Sequence, residues 1–192
     1  MRAAEEHVAF FQEIGIVVIQ LAQLEMSLFL FLSICFPREQ EQLIYAGYIA
    51  MDGFRTKLNF VSNIMHEKLS DKRHLKDWDD VAERLATLST SRNKIAHWRA
   101  IAIPEHPIGR RYCLVPWKAS KTQTSARNPR GALYLRDINS IRFHFFAANI
   151  TLINLRCRIL NVKEAVDKGA EKPMKPLTLK QLSKDLQTLL RK

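Results

Sequence analysis

WDDVAERLATLSTSRNKIAHW, residues 78–98, is the stretch from which the fold can be read. Its large apolar residues fall at Trp78, Val81, Leu85 and Leu88 and resume at Ile95. This alternation of three and four is that of a helix with one face in a core. The same rhythm lands on Arg92, and an always-charged guanidinium on a core-facing stripe is costly unless it has a partner or a task. A helix is predicted from about Leu75 to Trp98, after a turn at Ser70-Asp71-Lys72.

Helical periodicity extends to both sides of this segment. Phe10, Ile14, Val17, Leu21, Leu24, Leu28, Phe31 and Cys35 predict a long first helix over about 3–35, stopped by Pro37. Residues 39–69 are predicted helical with a break at Met51-Asp52-Gly53. Beyond the motif helix, Pro104, Pro107 and Gly109 mark 101–111 as loop or edge strand. Tyr112–Val115 and Ala132–Leu135 read as two short strands of a β-hairpin whose polar tip spans 118–131. A last long helix is predicted from Arg136 or Asp137 to Val162, lined by Ile138, Ile141, Phe145, Ala148, Leu152, Leu155 and Ile159. The fold class is therefore all-α: a four- to five-helix up-and-down bundle with a small β-hairpin insertion between its last two helices. Residues 1–162 form the bundle, with 99–135 as the inserted loop and hairpin. Residues 163–192 form a polar linker and a C-terminal amphipathic helix carrying Leu179, Leu182, Leu186 and Leu189.

The composition narrows the function. Thirty lysines and arginines against nineteen acids give a formal charge of +11 on 192 residues, a field that favours polyanions. Three widely spaced cysteines (Cys35, Cys113 and Cys157) point to reduced thiols and a cytoplasmic setting. The six histidines lack zinc-site spacing, so no metal and no cofactor are expected. Residues 14–36 are apolar and long enough to span a bilayer. Gln20, Gln23 and Glu25 lie near the middle, however, and one central carboxylate costs roughly 2.5–3.5 kcal/mol on insertion. A buried bundle helix without membrane association is the expectation.

Glu25 is the only charged residue between Ile14 and Pro37, and it shares a seven-residue row with Phe11, Val18 and Leu32. A carboxylate there should seek a cation; Arg92 and Lys57 are the candidates, with Arg92 favoured. Arg92, Asn93 and His97 form a set suited to phosphate chemistry. At about 100° per residue, Asn93 and His97 lie about 100° and 140° round the helix from Arg92. A histidine can take a proton from a ribose 2′-hydroxyl or give one to a leaving oxygen. An arginine can hold a phosphate and stabilise charge developing on it, and an asparagine can orient the imidazole.

The string Arg92-Asn93-Lys94-Ile95-Ala96-His97 resembles the Arg–Asn–x–x–x–His signature of the HEPN superfamily, whose motif is Arg, four to six residues, then His. The long first helix with its acid at Glu25, and Lys57 in the second helical region, are similar to the wider family pattern over residues 10–100. Trp98 follows the histidine where a small residue is common. The resemblance implies an all-helical fold and a metal-independent endoribonuclease acting as a homodimer. Arg92 would hold phosphate, His97 would be the acid or base, and Asn93 would position them, with Glu25 and Lys57 in support. It also implies a toxin or antiviral-defence setting, with a cognate antitoxin or nucleotidyltransferase-like partner. Other members are non-catalytic and bind RNA, nucleotides or proteins, which is the alternative for this chain. From Arg99 to Arg130 seven basic residues face one acid, Glu105, with Tyr112 and Trp117 interleaved. Arg99, Arg110, Arg111 and Lys118 are the expected RNA contacts.

Overall fold

Helix α1 (Ala3–Ser33) opens with Glu5 and Glu6, acids placed where the positive end of the helix dipole favours them. It closes just before Pro37, through the N–H of Cys35 bonded to the carbonyl of Leu32 at 3.0 Å. A 3₁₀ turn (Arg38–Gln40) leads into α2 (Glu41–Ile49). Gly53, at φ 77°, makes the predicted break before α3 (Phe54–Lys68), a conformation in which a side chain is strained. The computed structural model describes residues 3–103, 106–107, 111–118, 129 and 131–167. Residues 119–128 and 130 of the predicted 118–131 hairpin tip, and the C-terminal amphipathic helix, lie outside those residues.

Helix α4 (Lys72–His97) begins three residues earlier than its apolar stripe indicates. Asp71 Oδ1 accepts the backbone N–H of Arg73 at 2.8 Å, and the first-turn bond runs from the N–H of Leu75 to the carbonyl of Asp71. This is an N-cap, and it lets the helix start on polar residues. The N–H of Arg73, followed by its guanidinium, holds the Asp71 carboxyl below its usual range.

The other end of α4 differs from the expectation in an informative way. Trp98 is not helical. It opens strand β1 (Trp98–Ala102), which pairs antiparallel with β2 (Tyr112–Pro116) in the register Trp98↔Pro116 through Ala102↔Tyr112. Strand β3 (Leu133–Tyr134) pairs with the other side of β2, so the insertion is a three-stranded meander in the order β1-β2-β3. Helix α5 (Leu135–Asp167) starts from one half of a capping box, the N–H of Tyr134 donating to Asp137 Oδ2 at 2.9 Å. It continues past Val162 to Asp167, correcting the predicted linker. The polar residues there end the apolar stripe, but 161–167 contain no glycine or proline to end the helix.

The result is a mostly helical bundle with a β insertion between α4 and α5. The chain divides into two units, each taking part of α1, α4 and α5. One comprises residues 1–26 and 84–148, the other 27–83 and 149–192. In the second unit Phe31 stacks on the fully buried Trp78 at 4.8 Å, Phe29 packs on Tyr45 and Tyr48, and Cys35 Sγ lies 3.7 Å from Met65 Sδ. Its polar ties include Arg158 to Asp77 at 2.8 Å and Arg156 Nε to the carbonyl of Leu30 at 2.9 Å.

The first unit holds Phe10, Val17, Leu21 and Leu24 of α1, Leu85 and Ile95 of α4, and Ile138, Ile141 and Phe145 of α5 in its core. Tyr112 of β2 meets the rings of Phe10 and His7. A satellite cluster of Ile103, Cys113 and Val115, flanked by Ile101, Ala132 and Tyr134, lies on one face of the sheet. Burial pushes the Cys113 thiol up to about 11. Helix α1 is long and apolar enough to cross a bilayer by length and composition, and Val8, Phe11, Val18, Ile19 and Met26 lie exposed on it. Two of its carboxylates are nevertheless engaged within the unit: Glu6 accepts the N–H of Arg111 at 2.9 Å, and Glu13 pairs with Arg142 at 3.2 Å.

Candidate functional site

The last two turns of α4 carry the site, and they lie wholly in the first unit. The buried stripe of this helix passes through Trp78, Val81, Leu85, Ser89 and Ile95. The predicted position Leu88 is only half-buried, and Ser89 takes its place by bonding its hydroxyl back to the carbonyl of Ala86 at 2.6 Å. The step from Ser89 reaches Arg92, which therefore sits where the helix meets its core.

Arg92 keeps 25% of its side chain exposed and Glu25 keeps 24%, and Arg92 Nη2 lies 3.9 Å from Glu25 Oε1. This is an ion pair without a direct hydrogen bond at that distance. Arg92 Nη1 donates to Asn93 Oδ1 at 3.3 Å. Of five guanidinium N–H donors, that contact uses one. The guanidinium is held from two sides while part of it still faces solvent.

Asn93 and His97 are exposed, and His97 is the final residue of α4. The Asn93 amide oxygen is turned to Arg92. Among the described residues, His97 makes no hydrogen bond or ion pair, so neither Arg92 nor Asn93 orients its ring. Lys94 places its Nζ 5.4 Å from the ring centroid of Trp98, a cation–π contact that shields the bulky residue following the motif.

The remaining predicted residues separate. Lys57 belongs to the second unit, where its Nζ lies 5.3 Å from the Tyr48 ring centroid. Arg99 is half-buried on the face of β1 shared with Ile101, opposite Val115, and its Nε is buried without a partner. Arg111 is committed to architecture: its backbone N–H goes to Glu6 and its Nε to the carbonyl of His106 at 3.3 Å. Lys118 is exposed just beyond β2, next to Trp117, which is 72% exposed. Arg110 lies outside the described residues. Among the described residues, no three His, Cys, Asp or Glu side chains converge as a metal-binding group.

No family model, curated protein or solved structure matches this chain.

Chemically, the end of α4 offers a positioned guanidinium with free donors and an exposed imidazole five residues further on. The rise of a helix puts the two residues about 7.5 Å apart along its axis and about 140° apart around it. Sequence reasoning missed the Lys94–Trp98 contact at this site, which their i, i+4 spacing allows. Trp117 reads from the sequence as one of two aromatics in the basic stretch after the motif, but its place beside the end of α4 depends on strand register, which leaves no local signal.

Proposed function

We propose that this chain is a metal-independent endoribonuclease of the HEPN kind, acting in the cytoplasm as a homodimer. The observation that carries the reading is Arg92: a half-buried guanidinium, braced by Glu25 and Asn93 yet with donors uncommitted, one turn and a half before an exposed histidine. Bracing of this kind lowers the entropy lost when a phosphate oxygen is gripped bidentately.

In the reaction proposed, the ribose 2′-oxygen attacks the adjacent phosphorus and the bond to the 5′-oxygen breaks. The proton of the 2′-hydroxyl passes to a base, and a proton is delivered to the departing 5′-oxygen. His97 performs one of these transfers, and His97 of a second copy performs the other. The products are a 2′,3′-cyclic phosphate and a 5′-hydroxyl. Arg92 balances the charge that grows on the non-bridging oxygens. A setting as a toxin or defence component, with an antitoxin or nucleotidyltransferase-like partner, belongs to the same proposal. Glu6, Glu13 and Glu25 each have a partner within the protein, which supports α1 as a bundle helix rather than a membrane span.

One observation favours a second reading. Glu25 stands 3.9 Å from the guanidinium, so a phosphate at Arg92 must compete with a resident carboxylate. A non-catalytic module that binds RNA or an acidic protein through its basic surface, with Arg92 in the architecture, fits that competition. The deciding experiment is incubation of mixed-sequence single-stranded RNA with the pure protein in EDTA, beside Arg92→Ala and His97→Ala. Cleavage to cyclic-phosphate ends that is lost in both variants is the expected result. No cleavage by the wild type, with salt-sensitive binding indifferent to His97→Ala, would replace the nuclease with the binding module.

A further inference from the structure

The ladder between β1 and β2 places an exposed aromatic beside the end of the motif helix. Trp98, the first residue of β1, pairs with Pro116, the last of β2. His97 directly precedes the one and Trp117 directly follows the other. With paired Cα atoms at most about 5.5 Å apart and successive ones 3.8 Å apart, the Cα atoms of His97 and Trp117 are within about 13 Å. Both side chains are exposed, Trp117 at 72%. Trp117 stands out in the first unit, where every other indole or phenol ring is at least half-buried: Trp98 under Lys94, Tyr112 against Phe10 and Tyr134 against His106.

The surroundings of this indole are basic. Lys118 is exposed next to it in sequence, and Lys94 lies on the strand-opening Trp98 directly opposite Pro116. An exposed aromatic on a surface that carries lysines is a pairing with which proteins hold unpaired nucleobases, the ring stacking on the base and the cations following the backbone.

We infer that Trp117 is the base-stacking platform of the site, seating an unpaired nucleobase next to the phosphate handled at the end of α4 and so selecting single-stranded RNA. The inference rests on the ribonuclease reading and adds the residue that positions the strand. An A-form duplex keeps its bases stacked on one another, so the platform takes only loops, bulges and single strands. Stacking is tolerant of base identity, so Trp117 fixes where the chain lies more than which base it carries.

The test is binding of a 2′-O-methyl RNA 12-mer, which has no 2′-hydroxyl to attack, and of an abasic strand of equal length, to wild type, Trp117→Ala and Trp117→Phe. Cleavage of ordinary RNA and the mass of the protein in solution are measured alongside. The expected result is that Trp117→Ala weakens the base-bearing strand about 5- to 100-fold. It leaves the abasic strand unchanged, and Trp117→Phe retains most of the affinity. Equal binding of both strands by wild type and Trp117→Ala, with RNA still cleaved, overturns the platform and leaves the ribonuclease standing. Equal weakening on both strands, or a change of oligomeric mass in Trp117→Ala, also overturns it and assigns the indole to charge placement or to contact between copies. If the wild type neither binds nor cleaves RNA at low salt, both readings fall. Trp117 is exposed, so its replacement leaves the core untouched, and circular dichroism of each variant checks that the fold is kept.

Discussion

Replacing Glu25 by Gln, Arg92 by Gln, and both together isolates the interaction that makes this site unusual. A fully buried ion pair that loses one member costs about 3–5 kcal/mol, because the survivor is left charged and unpaired. An exposed pair is worth about 0–1 kcal/mol. Here each side chain is about a quarter exposed and the charges stand 3.9 Å apart, beyond direct hydrogen bonding. Water can therefore reach the orphan, and the single variants should each cost about 1–2 kcal/mol. For a chain of this size that is roughly a 2–8 °C fall in midpoint. Coupling in the double-mutant cycle should be about 1 kcal/mol. Thermal and urea unfolding at low and high salt measure it, and the coupling should survive salt better than that of the more exposed His66–Asp79 pair. A coupling below about 0.3 kcal/mol, the scatter expected for independent sites, would refute the idea that Glu25 braces Arg92.

Four further outcomes are expected. Gly53→Ala should lower stability by about 1–3 kcal/mol, because φ at 77° with ψ at 146° is a backbone conformation that L side chains rarely adopt; unchanged urea midpoints would count against that turn. Asp71→Ala should lower the melting temperature at neutral pH. Because its folded pKa is depressed, the contribution of Asp71 is present above about 3.8 and fades as pH falls through the lower folded value, so wild type and variant should converge in acid. Cys113 should resist iodoacetamide in the native protein while the exposed Cys157 reacts. Its raised pKa is a stabilising term below about 9 that is lost as pH rises toward about 11, so alkaline unfolding should release a protected thiol. Mixing wild type with excess His97→Ala under conditions that exchange subunits should depress RNA cleavage below the share of wild type present, because a mixed dimer keeps one imidazole where the proposed reaction uses two; activity in proportion to the wild-type share would confine acid and base to one chain.

What was legible in the sequence followed from periodicity and from charges in apolar company. The seven-residue rows of α1 and the stripe of α5 identify core helices, and Gly53 and Pro37 punctuate them as expected. Glu25 and Arg92 each interrupt an apolar pattern, and the cost of leaving such charges alone was enough to pair them. The failures have specific causes, one local and the others not. Leu88 is the more apolar neighbour, yet Ser89 is buried, because a hydroxyl bonded to Ala86 satisfies itself within the helix. Trp98 continues a helical pattern, but five residues of ladder with β2 draw it into a strand. The sequence predicts Arg99 and Arg111 as RNA contacts; Arg99 instead carries a buried Nε on the sheet face, and Arg111 gives its Nε to the carbonyl of His106. The ladder partners of Trp98 and Arg99 lie more than ten residues away, and local pattern carries no record of them.

The angular separation on α4 bears on the mechanism itself. Arg92 is turned toward Glu25 at the edge of the core, while His97 projects from the outer surface about 140° away. One helix therefore does not present both groups to the same phosphate oxygen. An arginine is long enough to curl partway round, but Glu25 and Asn93 restrain this one. In-line displacement also needs a base and an acid on opposite sides of the phosphorus, and a single α4 supplies one imidazole. The exposed apolar side chains of α1 and the exposed indole of Trp117 lie in the same unit as that helix end. In the ribonuclease proposed above, two α4 ends facing one another would satisfy both demands: each His97 would reach across to a phosphate held by the other copy's guanidinium, and the two imidazoles would flank the scissile bond. On that proposal the homodimer is a requirement of the chemistry.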